Sequence, residues 1–124
     1  MNKKIEIKSG KVSMEAELND SKTSELIYNS LPMECDANTW GEEIYFPIPV
    51  KARLENGVSV VKEGDLGYWP PQNCFCMFFG KTPVSTDTEI RPASAVSPIG
   101  KMLGNPKEWK KVKDGDKIVI EKVE

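Results

Sequence analysis

The sequence predicts a mainly β domain, closed or nearly closed on itself, and three observations carry that prediction. About eight short segments alternate apolar with polar side chains or are rich in β-branched and aromatic residues. Turn residues recur at roughly the eight-to-twelve-residue spacing typical of sandwiches and barrels. Only one stretch, 21–31, has helical spacing over more than a turn.

The elements follow in order. Residues 3–8 alternate Ile5 and Ile7 with charged side chains, and 12–18 alternates Val12, Met14, Ala16 and Leu18 with polar ones. This predicts a hairpin turning at Ser9-Gly10 with one wet face. Asp20 is placed to cap a helix over 21–31, in which Leu26 and Ile27 lie one turn from Thr23 and Leu31. Pro32 marks its end. From 33 to 40 the pattern loosens, and 42–46 then reads as a short strand stopped by Pro47 and Pro49. Residues 50–54 and 58–61 flank Asn56-Gly57, which predicts a second hairpin.

The stretch 64–83 organises the rest. It opens on a Gly64-Asp65 turn, passes through Tyr68-Trp69-Pro70-Pro71, and enters the most apolar segment of the chain. In a strand there, Cys74, Cys76 and Phe78 face one way while Phe75, Met77 and Phe79 face the other, so the strand is covered on both sides. Residues 84–89 form a polar loop. Residues 93–103, interrupted by Pro98 and Gly100, predict a bent strand or one that changes partners at a barrel corner. A short helical turn over 106–111 and a closing strand over 117–123 complete the chain.

Composition narrows the function. At 124 residues the chain is the size of one domain and can bury a core without disulfides or metals. Its charges are mixed and sum to −2, which argues against nucleic acid as a partner. No apolar run approaches the roughly 20 residues needed to span a bilayer, and the first residues lack the apolar stretch of a secretory signal. A cytoplasmic location is expected. The 3 cysteines, with Cys74 and Cys76 poorly placed to bond each other, fit a reducing compartment. There are 0 histidines, so Ser-His and Cys-His nucleophile pairs and mixed Cys-His zinc sites are excluded. No cofactor or metal is expected.

Trp40, Tyr45, Tyr68 and Trp69 are the candidates to line a cleft, because each joins an apolar body to a polar tip beside a Gly or Pro turn. The competing reading has them capping the barrel ends as core. Glu42 and Glu43, beside Trp40, suit a cationic or hydroxylated ligand, and in a desolvated site either becomes a base; otherwise they are an ordinary solvated pair. Lys81 and Arg91 flank the polar loop and suit an anion or a peptide carboxylate. Cys74 and Cys76 read as quiet core thiols.

The order of motifs resembles a cyclophilin. Gly10-Lys11-Val12-Ser13-Met14-Glu15, then Ser21-Lys22-Thr23-Ser24-Glu25, is similar to that family's opening strand and helix. Gly64-Asp65, Lys81-Thr82-Pro83 and Ile99-Gly100-Lys101-Met102 are similar to its later turn, loop and strand. A closer resemblance is to the small prokaryotic cyclophilin-like proteins, a group without an assigned activity. It rests on residues 38–46, on Gly64-Asp65-Leu66-Gly67-Tyr68-Trp69-Pro70-Pro71, and on Phe78-Phe79-Gly80-Lys81-Thr82-Pro83.

The resemblance implies a closed eight-stranded barrel capped by helices, with a surface cleft where a true isomerase binds proline peptides. Carried over residue by residue, the isomerase arginine corresponds to Arg53. The aromatic and glutamine that follow it fall on Val58 and on Val61 or Lys62, the pocket phenylalanine on Cys76, and the loop tryptophan on Val84; the histidine has no counterpart. The expectation is therefore a cyclophilin-fold binding module for a small molecule or an extended, proline-containing peptide. The alternatives are a weak or altered peptidyl-prolyl isomerase using Arg53, another enzyme using Glu42 or Glu43 with Lys81, or a structural subunit that docks through exposed aromatics.

Overall fold

In the computed structural model, which describes residues 2–123, strands β1 (Lys3–Ser9) and β2 (Val12–Leu18) form the hairpin that their alternation demands. Ile5 pairs with Ala16 and Ile7 with Met14, and all four are buried on one face. Helix α1 (Lys22–Asn29) follows. It is shorter than the 21–31 expected, and its cap is Ser21 rather than Asp20. The Ser21 hydroxyl accepts from the Ser24 amide at 3.2 Å, and Asn19 holds the Ser21 amide at 3.1 Å. Glu55, from a distant loop, accepts the Thr23 amide at 3.0 Å and so serves the same free helix end.

The loose stretch after the helix is two strands, β3 (Met33–Asp36) and β4 (Asn38–Thr39), separated by Ala37. Then come β5 (Glu43–Pro47), β6 (Asp65–Trp69), β7 (Cys74–Phe78), β8 (Ser97–Met102) and β9 (Lys117–Lys122). Short 3-10 turns at Pro70–Gln72 and Pro106–Lys111 precede β7 and β9.

Among the described residues all strands belong to one sheet in the order β3-β9-β1-β2-β8-β6-β7-β5-β4, with nine strands where eight were expected. The reason is local. The two end strands are consecutive in the chain, and Ala37 between them bonds to the turn before β9 instead, accepting from the Gly115 amide and donating to the Asp116 carbonyl, both at 2.8 Å. Counted as one bent strand, β3 and β4 close the sheet into an eight-stranded barrel, and no long edge is left open.

The hairpin expected at Asn56-Gly57 does not form. Asn56 does take the left-handed conformation, φ 52°, but its flanks pair with other segments. Val58 bridges Val96, Val61 bridges Ile90, and the Glu55 amide donates to the Ser97 hydroxyl at 2.8 Å. Competing partners at long range have overridden a local turn preference. The bend expected in 93–103 appears as a slip in the β6–β8 register between Leu66 and Gly67.

Strand β7 is buried at every residue. Phe75 and Met77 join the main core, where the Phe46 and Phe75 rings stack 5.4 Å apart. Cys74, Cys76 and Phe78 lie on the other face with Val61 and Val96, covered by loops. Among the described residues no helix is long and apolar enough to cross a membrane.

Candidate cleft beneath the aromatic loops

Alternation along β5 and β6 decides which side chains reach that second face. On β5, Ile44 and Phe46 enter the main core, so Glu43 and Tyr45 must point the other way. On β6, Tyr68 enters the core, so Trp69 points out with Cys74 and Cys76. Glu43, Tyr45, Trp69 and Cys76, with Trp40, bound a cleft of about 190 Å3. Cys76 and Val96 form its floor, while Gln72, Pro92 and Ala93 complete the walls.

Each wall is held from outside the cleft. Trp40 is placed by a turn in which its amide donates to the Glu43 carbonyl at 2.9 Å. That turn depends on Gly41, which has φ 61°, and a Cβ there would stand 2.8 Å from the Lys81 carbonyl oxygen. The adjacent Glu42 donates its amide to that same carbonyl at 2.8 Å and accepts from the Phe79 amide at 3.0 Å, so the turn is pinned to the Lys-Thr-Pro segment. The Trp69 indole donates to the Ser94 hydroxyl at 2.7 Å. The loop carrying Pro92 and Ala93 is tied by Ser85, which accepts from the amides of Thr82 at 2.9 Å and Arg91 at 3.0 Å, and by the Thr82 hydroxyl donating to the Arg91 carbonyl.

The electrostatic centre of the cleft is Glu43. It is only 5% exposed, the cleft lining contains no lysine or arginine, and no ion pair among the described residues includes it. Burial pushes its carboxyl up from 4.5 to about 7, against which a hydrogen bond from the Cys76 thiol works in the opposite direction. Burial and the facing carboxylate in turn raise the Cys76 thiol well above its ordinary range, and Cys74 to about 11. Both thiols are therefore protonated donors and not nucleophiles at neutral pH.

The cleft thus gathers Trp40, Glu43, Tyr45 and Trp69 from the residues singled out in the sequence. The others lie elsewhere. Tyr68 is fully buried, and its hydroxyl donates to the Val50 carbonyl at 2.7 Å and accepts from the Ala52 amide at 3.2 Å. It is a strut of the main core and not a lip of the cleft. Glu42, next to Glu43, points to the opposite side and meets Lys110 at 3.2 Å and Lys107 at 3.6 Å. Burial opposes its ionisation, but the two lysines and the Lys81 amide together hold its carboxyl below the ordinary value. Lys81 is exposed beside that group, and the Arg91 side chain is turned to Glu89. Arg53 is exposed on the irregular 49–57 segment and does not line the cleft.

Gln72, Pro92, Ala93 and Val96 had no signal in the sequence that assigned them to the cleft. Gln72 arrives because the Pro70–Gln72 turn reverses the chain through Asn73, φ 55°. The rest arrive through the long-range ties of their loop.

A closed antiparallel barrel with a compact aromatic cleft over one central strand defines the class of the molecule. The chain belongs to the cyclophilin-like family, whose model matches residues 3–121. It is also similar to a hypothetical protein of Archaeoglobus fulgidus whose structure was determined in solution. The two share 38% identity over 98% of this chain and 95% of that one, with a TM-score of 0.83. Among curated proteins none matches the chain.

Proposed function

We propose that this protein is a binding module, in which the cleft between Trp40, Tyr45 and Trp69 receives one compact organic group of a small molecule or of an extended peptide. The observation that carries the reading is the combination of three amphipathic aromatics with a single buried carboxylate in one concave surface. Its size fits, since an apolar cavity of about 150 Å3 takes up benzene. Proline isomerisation is not part of this reading. The reaction must favour a twisted amide against a barrier of about 18–20 kcal/mol, which calls for a donor beside the bound ring. Arg53, the one residue that the resemblance offers as donor, is outside the cleft.

The test is ligand-observed NMR of the native protein against a library of fragments with one ring or one branched group. Fragments that bind native protein and are released by Trp40→Ala and by Trp69→Ala support the reading. A protease-coupled isomerase assay addresses the rival, because turnover of a proline peptide that disappears in Arg53→Ala would overturn it. Glu43 favours one enzymatic alternative, a proton transfer run by a carboxyl that titrates near neutrality.

A further inference from the structure

Resting on the cleft as a binding site, the inference here concerns the chemistry of what it holds. We infer that the ligand group is an organic ammonium ion, with Trp40, Tyr45 and Trp69 as the walls around its alkyl shell and the Glu43 carboxylate as its counter-charge.

The geometry argues this in three steps. First, Glu43 is buried in a cleft whose other lining residues carry no positive charge, so no cation among the described residues neutralises it. A buried carboxylate without a cation is costly, and a ligand that brings the cation removes that cost. Second, aromatic faces attract cations through their ring quadrupoles, and quaternary ammonium groups are the ions most suited to such walls because they are weakly hydrated. Third, the remaining polar groups are few. They are the Gln72 amide, the Tyr45 hydroxyl and the Trp40 indole N–H, while the Trp69 indole is already engaged with Ser94 at 2.7 Å. A highly hydrogen-bonding ligand such as a sugar or a phosphate would find too few partners, and a phosphate would meet a like charge. The shared chemistry is a methylated or alkyl ammonium, offered either by a free small molecule or by a modified lysine in a peptide.

The charge of the cleft depends on Glu43 alone. The titratable groups that face it are Tyr45 on its own strand and Cys74 and Cys76 on β7, while β6, the Pro70–Gln72 turn and the loop carrying Pro92 and Ala93 present none. Burial raises both thiols, so they stay neutral over the pH range in which Glu43 ionises. Ammonium binding therefore strengthens as Glu43 ionises. For a carboxyl titrating at about 7, its ionised fraction rises about 30-fold between about pH 5.5 and about pH 8. Binding at the lower pH displaces the Glu43 proton.

The experiment is calorimetric titration of the native protein and of Glu43→Gln with three probes: choline, its neutral isostere 3,3-dimethylbutan-1-ol, and a capped tripeptide with a central trimethyl-lysine. Each is run at both pH values and in two buffers of different ionisation enthalpy. Choline or the peptide should bind native protein at least about tenfold more tightly than the neutral alcohol does, with affinity rising with pH and with proton release at the lower pH. That preference should vanish in Glu43→Gln. Choline binding alone points to a free small molecule, and binding of the peptide alone or more tightly points to a protein partner. If the neutral alcohol binds as well as choline, or if Glu43→Gln leaves choline affinity unchanged, the ammonium inference is overturned while the cleft remains a binding site. If the cations, the alcohol and the fragment library all fail to bind, the binding reading falls and the inference with it. Should Glu43→Gln not fold, carboxyl-carbon NMR of the native protein decides between the same outcomes. Choline must lower the titration midpoint of Glu43, and an unmoved midpoint at saturation refutes the pairing.

Discussion

Replacing Glu43 by glutamine should shift stability in the variant's favour by an amount that grows with pH. The carboxyl titrates at about 7 in the fold against an ordinary 4.5, because burial disfavours its charged form. A raised carboxyl pKa means that the folded state binds more protons than the unfolded chain between those two values, so stability falls as pH rises through that window. Below about pH 4.5 the group is neutral in both states and no penalty applies; above about pH 7 the penalty is complete. With about 1.4 kcal/mol for each pH unit separating the two pKa values, the penalty is about 3 kcal/mol at pH 8 and about 1 kcal/mol at pH 5. Glutamine has nearly the same shape and does not titrate. Its own burial cost is the same at both pH values and cancels from the comparison.

The measurable quantity is thus the difference in Tm between Glu43→Gln and native protein, followed by circular dichroism from pH 5 to pH 8. A 124-residue chain unfolds with an entropy of about 0.26 kcal/mol/K. The change of about 2 kcal/mol across that range corresponds to a widening of about 8 °C in favour of the variant. Other groups titrate equally in both proteins, so they do not contribute to the difference. A difference that stays flat from pH 5 to pH 8 would refute the reasoning, because it would mean that Glu43 is solvated or neutralised in the fold.

Two further outcomes test the packing on either side of the barrel. With a thiol reagent at pH 8, native protein should consume one equivalent from partly exposed Cys35, while Cys74 and Cys76 react only after unfolding; prompt labelling of all three would show that the loops over β7 open readily. Gly100→Ala should cost about 3 kcal/mol or more, since a Cβ there falls 2.1 Å from the Glu17 carbonyl oxygen across the β2–β8 pair. Urea denaturation reads it as a lowered midpoint at unchanged slope, and an unchanged midpoint would contradict the close approach of those strands.

What the sequence made legible follows the range over which each signal acts. Alternation is local and reliable, so the β1–β2 hairpin and the two faces of 74–79 could be read directly. Pairing is not local. The Asn56-Gly57 turn forms its left-handed bend, but Val58 and Val61 find better partners in Val96 and Ile90, which no local pattern announces. The sheet's ninth strand is likewise a product of one residue, Ala37, bonding to the turn before β9. At the cleft, the alternation rule was available and would have divided the candidates. Tyr68 and Trp69 are neighbours on one strand, so only one of them can face a given side, and Glu42, in the turn just before β5, is parted from Glu43 at the start of that strand. The walls contributed by Pro92 and Ala93 rest on the Thr82, Ser85 and Arg91 ties, which join residues with no periodic relation.

The contrast between the two adjacent glutamates is what separates structure from function in this barrel. Glu42 lies where two lysines and the Lys81 amide meet its charge, and its role is explained by the turn that its backbone helps to pin. Glu43 is met only by the Cys76 thiol, its burial disfavours the charged form, and its neighbour across the strand pair is the uncharged Phe78. Nothing in the fold calls for a carboxylate there. The same strand spacing that buries Ile44 and Phe46 in the core presents Glu43 and Tyr45 to the cleft, so the barrel can keep its interior unchanged while the cleft face is set by other demands. Under the proposed reading, a charge that disfavours the fold at that position is what an ammonium ligand in the cleft would offset.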